Sequence, residues 1–102
     1  SGQNIYPEEI EDKLNKMPYV NESIVIQALD GKLAALIYPD FELAFANGMT
    51  EKQVEEQMEA NRVAVNTQIA AYEQIARVKI YHEEFEKTPK KSIKRFLYQE
   101  AR

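Results

Sequence analysis

Ser23-Ile24-Val25-Ile26-Gln27-Ala28 and Lys32-Leu33-Ala34-Ala35-Leu36-Ile37-Tyr38, with Asp30-Gly31 between them, decide the fold. The first run is short and β-branched, which suits a pleated strand better than a helix. Asp-Gly tolerates the positive φ angles that a tight hairpin needs, so the second run reads as the antiparallel partner. Pro39-Asp40 closes it.

Working outward, Pro7-Glu8-Glu9 reads as a first helical turn. Proline loses no hydrogen bond there, and the two acids face the positive end of the helix dipole. Ile10, Leu14 and Met17 then recur at helical spacing until Pro18 stops the run. Residues 40–49 read as a loop with a short helical turn. Thr50-Glu51-Lys52-Gln53 matches a capping box and opens a long helix, with Val54, Met58, Val65, Ile69, Tyr72 and Ala76 along one stripe. Val78 to Tyr81 alternates as a third strand, Phe85 to Lys91 is a loop, and Ile93 to Ala101 reads as a last amphipathic helix. The expected fold is a small α+β sandwich in the order αββαβα. A short, mostly antiparallel sheet of about three strands carries the packed helices.

With 102 residues, 44% apolar and 29% charged, the chain supports one domain with a modest core. It has no cysteine, hence no disulfide framework and no thiolate chemistry, in keeping with an expected cytoplasmic location. No apolar run approaches the roughly 18–20 residues of a membrane span. Ser1-Gly2-Gln3-Asn4 leads almost at once into a helix signal, which suggests a domain excised from a longer protein.

Charge is distributed unevenly. Residues 1–86 carry 7 Lys/Arg against 16 Asp/Glu, whereas residues 87–102 carry 6 against 1. Five cations fall within Lys87-Thr88-Pro89-Lys90-Lys91-Ser92-Ile93-Lys94-Arg95. An acidic body with a net charge of −4 repels nucleic acid everywhere except at this tail, so an anion of limited size is the expected partner.

Most other polar residues carry bland readings. His82 is the only histidine and belongs on the surface; no metal site is expected. Glu8/Glu9 and Glu55/Glu56 are helix-end or solvated charges rather than a general acid/base pair. Tyr72 is expected in the core with its hydroxyl at an edge. Two segments ask for more. Gly2-Gln3-Asn4 precedes a proline-started helix, where glycine lets a ligand pass close to the backbone. The tail places several mobile lysine charges on a loop stiffened by Pro89, although a merely solvated basic tail has the same composition.

Taken together, these segments resemble the C-terminal domain of the AMP-forming acyl-CoA synthetases, in the adenylate-forming superfamily. The likeness runs through Gly2-x-Asn4-Ile5-x-Pro7-x-Glu9-Ile10-Glu11, Pro18-Tyr19-Val20-Asn21-Glu22-Ser23 and Tyr38-Pro39-Asp40. It continues through Asn66-x-x-Ile69-Ala70-x-Tyr72-x-x-Ile75, Phe85-x-Lys87-Thr88-Pro89 and Ile93-Lys94-Arg95. The ending Lys-Thr-Pro…Ile-Lys-Arg-Phe-Leu-Tyr is most similar to the long-chain fatty acid branch.

The resemblance implies a ligase joining a carboxylate to ATP, then passing the acyl group from the adenylate to coenzyme A and releasing AMP. It implies ATP/AMP, coenzyme A and Mg2+ held largely by an N-terminal adenylation domain of the same chain, and a fatty acid substrate. No nucleic acid partner is implied, and peripheral membrane contact by the full-length enzyme is a further expectation. The isolated domain is expected to be inactive. The small domain of this family presents two faces in turn: the basic loop for adenylation, then the segment at Ser1, Gly2 and Gln3 along the pantetheine path.

This chain departs from the family at one position. The alignment puts Lys91 on the usual glycine and Ser92 on the usual catalytic lysine. Serine can hydrogen-bond a phosphate oxygen without neutralising it. Lys91, with about 6 Å of reach, is the favoured substitute; Lys90 or Lys94 would act less directly, and otherwise adenylation is slow. Two alternatives accompany this reading. One is a ligase of the same superfamily for another acyl, aryl or amino acid. The other is a free-standing module for RNA or an anionic membrane, which the expected lack of exposed aromatics among the lysines disfavours.

Overall fold

The computed structural model describes residues 4–99. Helix α1 spans Pro7–Leu14, strands β1 and β2 span Val20–Gln27 and Leu33–Pro39, and α2 and α3 span Phe41–Ala46 and Glu51–Asn66. Strand β3 spans Ile75–Ile80, and short 3-10 turns occupy Ala71–Glu73 and Arg95–Leu97. The sheet order is β1-β2-β3.

The hairpin forms where the sequence places it. Ile24 faces Leu36, Val25 faces Ala35 and Ile26 faces Ala34 in antiparallel register. The turn is closed by Gly31 N donating to Ala28 O (2.9 Å) and Ala28 N donating to Lys32 O (2.8 Å). Gly31 holds φ at +83°, which glycine adopts without steric cost. Strand β3 joins β2 in parallel, with Ala35 beside Val78 and Ile37 beside Ile80, because α2 and α3 carry the chain back across the sheet. The sheet is therefore mixed.

Both faces of the β1–β2 hairpin are buried, which explains why Ile24–Ile26 and Leu33–Ile37 are continuously apolar rather than alternating, whereas β3 leaves Arg77 and Lys79 exposed. Val25, Leu33, Ala35 and Ile37 pack against Ile10 and Leu14 of α1 and Val54, Met58 and Val65 of α3. On the opposite face Ile24, Ile26, Ala34 and Leu36 pack with Phe85, and Tyr38, Tyr81, Ile93 and Tyr98 close over them. The chain after β3 is thus a cover for the sheet rather than a free tail. Tyr81, Phe85 and Tyr98 meet at centroid distances of 4.9–5.7 Å.

Helix α3 begins with the expected capping box: Gln53 N donates to Thr50 Oγ1 (3.1 Å) and Thr50 N to Gln53 Oε1 (2.8 Å). It ends earlier than the apolar stripe suggests. The Asn66 side chain accepts Ile75 N (2.8 Å) and donates to Ile75 O (3.0 Å), mimicking a neighbouring peptide and starting β3 there. Tyr72 consequently lies in a 3-10 turn and is exposed, and Ala76 falls on β3; neither extends the helix stripe. The last helix also shrinks: from Ile93 to Gln99 only the Arg95–Leu97 turn is helical. Ile93 and Tyr98 are drawn onto the sheet instead, at a spacing that a helix face does not serve. No helix among the described residues is long and apolar enough to cross a membrane.

Candidate functional site

The basic run folds into a second tight turn. Lys91 N donates to Thr88 O and Thr88 N to Ser92 O, both at 2.8 Å, repeating the bonds of the Ala28–Lys32 turn. Lys87 and Ile93 pair across it, and Lys94 N donates to Glu86 O (2.8 Å). Thr88 Oγ1 also accepts Ser92 N at 3.3 Å. In this turn Lys91 takes the place that Gly31 holds in the other, with φ at +66°. A side chain in that left-handed region costs about 1–2 kcal/mol, partly offset by the lower entropy of the unfolded non-glycine chain. Lys91→Gly should therefore stabilise the domain by about 0.5–1 kcal/mol in urea unfolding; a destabilised variant would show that the Lys91 side chain makes compensating contacts.

Two carboxylates tie the arms of this turn to the body. On the outgoing arm Glu22 accepts Phe85 N (3.0 Å) and pairs with the Lys87 ammonium, whose remaining contacts are Phe85 O (3.1 Å) and Glu84 (3.8 Å). The hydrogen bond to Glu22 holds the Lys87 ammonium above its ordinary pKa. On the returning arm Arg95 forks onto Glu11 of α1. Its Nη1 donates to Oε2 (2.7 Å), its Nη2 meets Oε1, and Oε2 also accepts Val25 N (2.8 Å). The Glu11 hydrogen bond raises the Arg95 pKa further. Glu11 is buried although it is charged, and this paired geometry is what makes that burial tolerable.

The five cations therefore divide. Lys87 and Arg95 are structural, whereas Lys90, Lys91 and Lys94 make no ion pair among the described residues. Lys90, Lys91 and Ser92 are exposed at the tip and Lys94 is half-buried. The structure brings these four together on one anchored turn, where open ammonium groups suit a phosphate or carboxylate. Ser1, Gly2 and Gln3 lie outside the described residues. Glu11 and Glu22, which fix the turn, were visible only as letters of the two motifs; no local pattern marks a pair 84 residues apart.

Other expectations resolve simply. His82 is a surface residue, stacked on Phe41 at 5.0 Å with Nε2 2.8 Å from Glu51 Oε1. Among the described residues no group of three or more His, Asp or Glu side chains is placed to hold a metal ion. Phe96, 74% exposed, stands beside Lys94 and Arg95, which corrects the expectation that no open aromatic accompanies the lysines.

The whole arrangement has solved relatives. The chain is similar over 97% of its length to an acyl-CoA synthetase of Brucella canis, at 27% identity and a TM-score of 0.71, and spans 17% of that protein. A Mycobacterium tuberculosis fatty acyl CoA synthetase matches over 94% of the chain at 26% identity and a TM-score of 0.59, again with 17% of its length spanned. A benzoate CoA ligase from Burkholderia xenovorans LB400 shares the fold at 22% identity and a TM-score of 0.71, over 97% of the chain and 19% of its own. Comparison with curated proteins gives no match. The family described as AMP-binding enzyme C-terminal domain matches residues 1–101, nearly the entire sequence, and the chain belongs to it.

Proposed function

We propose that this domain is the mobile C-terminal part of an ATP-dependent long-chain fatty acid–CoA ligase, acting in the cytoplasm with an N-terminal adenylation domain of the same chain. The observation that carries the reading is the anchored turn with Lys90, Lys91 and Lys94 left open, in a chain whose ends follow the family motifs. In the first half-reaction the fatty acid carboxylate attacks the α-phosphate of ATP, and pyrophosphate leaves with the acyl-adenylate formed. In the second, the coenzyme A thiol displaces AMP. The tail turn serves the first step. A cation between a carboxylate and a phosphate cancels the repulsion of two anions that must meet, and it does so best when already in place.

Lys91 is the residue proposed for that role. The family resemblance puts it at the usual glycine position, one residue before Ser92, and the hydrogen bonds of the tight turn set its backbone at φ +66°. Ser92 contributes at most a hydrogen bond to a phosphate oxygen, and Lys90 and Lys94 add to the local positive field. Ser1, Gly2 and Gln3 would border the pantetheine path in the second step.

In the full-length parent, Lys91→Ala should slow acyl-adenylate formation about 100-fold, the scale of losing one preorganised charge stabiliser. Thioester formation from supplied acyl-adenylate should stay within threefold. Pyrophosphate release and acyl-CoA production measure the two steps separately, and a variant that affects neither would end the Lys91 assignment. The fatty acyl CoA synthetase at 26% identity supports a fatty acid substrate, and the long-chain preference rests on the resemblance of the Lys87–Tyr98 ending; a panel of long-chain, short-chain and aryl acids would test it. The exposed Phe96 beside the basic turn favours an RNA- or membrane-binding module. Tight, steeply salt-dependent RNA binding would select that reading.

A further inference from the structure

We propose that Arg95 is a positioning residue for adenylation: by gripping buried Glu11 it fixes the orientation of the Lys90–Lys91–Ser92 turn. The inference rests on the ligase reading above and concerns how that site is held.

The geometry is specific. Each oxygen of Glu11 receives one nitrogen of the Arg95 guanidinium, and Oε2 also accepts Val25 N of β1 at 2.8 Å. Glu11 is therefore locked from two sides, by a strand backbone and by the fork. Its side chain is 7% exposed, so water has little access to loosen the pair. Arg95 is three residues beyond Ser92, with Ile93 paired to Lys87 and Lys94 N bonded to Glu86 O between them. No slack separates the fork from the turn. The opposite arm is held by Glu22 through Phe85 N and Lys87, so the turn is gripped on both sides.

A bidentate fork sets direction as well as distance, and a lysine cannot reproduce it. Charge placement in a transition state is sensitive to shifts of about 1 Å, which cost on the order of 100-fold in rate. Glu11 also sits on α1, so the same carboxylate joins the opening motif of the chain to its basic turn. The turn is thereby referenced to the rigid sheet and helix rather than to its own loop.

The test uses the full-length parent enzyme carrying Arg95→Lys, which keeps the charge and loses the fork. Acyl-adenylate formation should fall at least tenfold in kcat, with KM for ATP and acid shifted less than threefold. Thioester formation from supplied acyl-adenylate should stay within threefold. In the Arg95→Lys background, Lys91→Ala should cost no more than about tenfold, well below its roughly 100-fold effect in the wild type, because Lys91 is already misplaced. Glu11→Gln, which keeps its size and the acceptor for Val25, should give the same split. It replaces Arg95→Lys should that variant fail to fold by thermal melting. Equal losses in both half-reactions, no loss in either, or an undiminished Lys91→Ala effect would overturn the positioning role alone. A wild-type parent that forms no acyl-adenylate from any acid would overturn the ligase reading, and this inference with it.

Discussion

Phe85→Ala is expected to destabilise the domain by about 3–5 kcal/mol, the range for emptying a packed aromatic site. Phe85 is 1% exposed and lies between Ile24, Ile26, Ala34 and Leu36 of the sheet and the rings of Tyr81 and Tyr98. Its removal takes away the centre of the second core, and the cover has only a 3-10 turn and an isolated antiparallel bridge with which to compensate. For a domain of this size the melting temperature should fall by roughly 15–25 °C. Phe96→Ala is the internal control. Phe96 is 74% exposed, and its loss should change stability by no more than about 0.5 kcal/mol. Urea unfolding of both variants decides the matter; comparable effects would mean that the second core contributes little.

Glu11→Ala is the second large expectation, at about 3 kcal/mol. Breaking a fully buried ion pair costs about 3–5 kcal/mol, because the surviving charge stays desolvated. Here the Arg95 side chain is 35% exposed, so water recovers part of that loss. The Val25 amide, deprived of its acceptor, adds about 1 kcal/mol. Replacing both partners, as in Glu11→Met with Arg95→Met, should recover more than half of the loss, since no isolated charge is left behind. A single variant as stable as the wild type would show that the pair orients the turn without stabilising the fold.

The contrast between these sites and the rest of the chain shows what a sequence can reveal. The hairpin, the proline-started α1 and the Thr50–Gln53 cap were legible because each is decided within a few residues by φ preference or a local hydrogen bond. The end of α3 was not. The apolar period runs on through Ile69 and Tyr72, but Asn66 takes both backbone groups of Ile75 and ends the helix. The cover was hidden for a related reason. Tyr81, Phe85, Ile93 and Tyr98 follow no helical or strand period, and their burial depends on where an irregular segment crosses the sheet. The candidate site was half legible. Its lysines were marked by charge and motif, whereas their division into structural and open members depends on Glu11 and Glu22, distant in sequence and adjacent in space.

The two-sided burial of the β1–β2 hairpin also bears on how the protein is made. The hairpin is translated well before its cover, with about 60 residues between Ile37 and Tyr98, or several seconds of synthesis at about 5–20 residues per second. Helix α3 is available soon after the hairpin to shield one face. The other face, with Ile24, Ile26 and Leu36, waits beside the ribosome for Phe85 and Tyr98 to emerge. During that interval the nascent chain presents an apolar surface of the kind that chaperones bind and neighbouring nascent chains adhere to. The same aromatic residues that close the second core therefore also end the most vulnerable period in the birth of the domain.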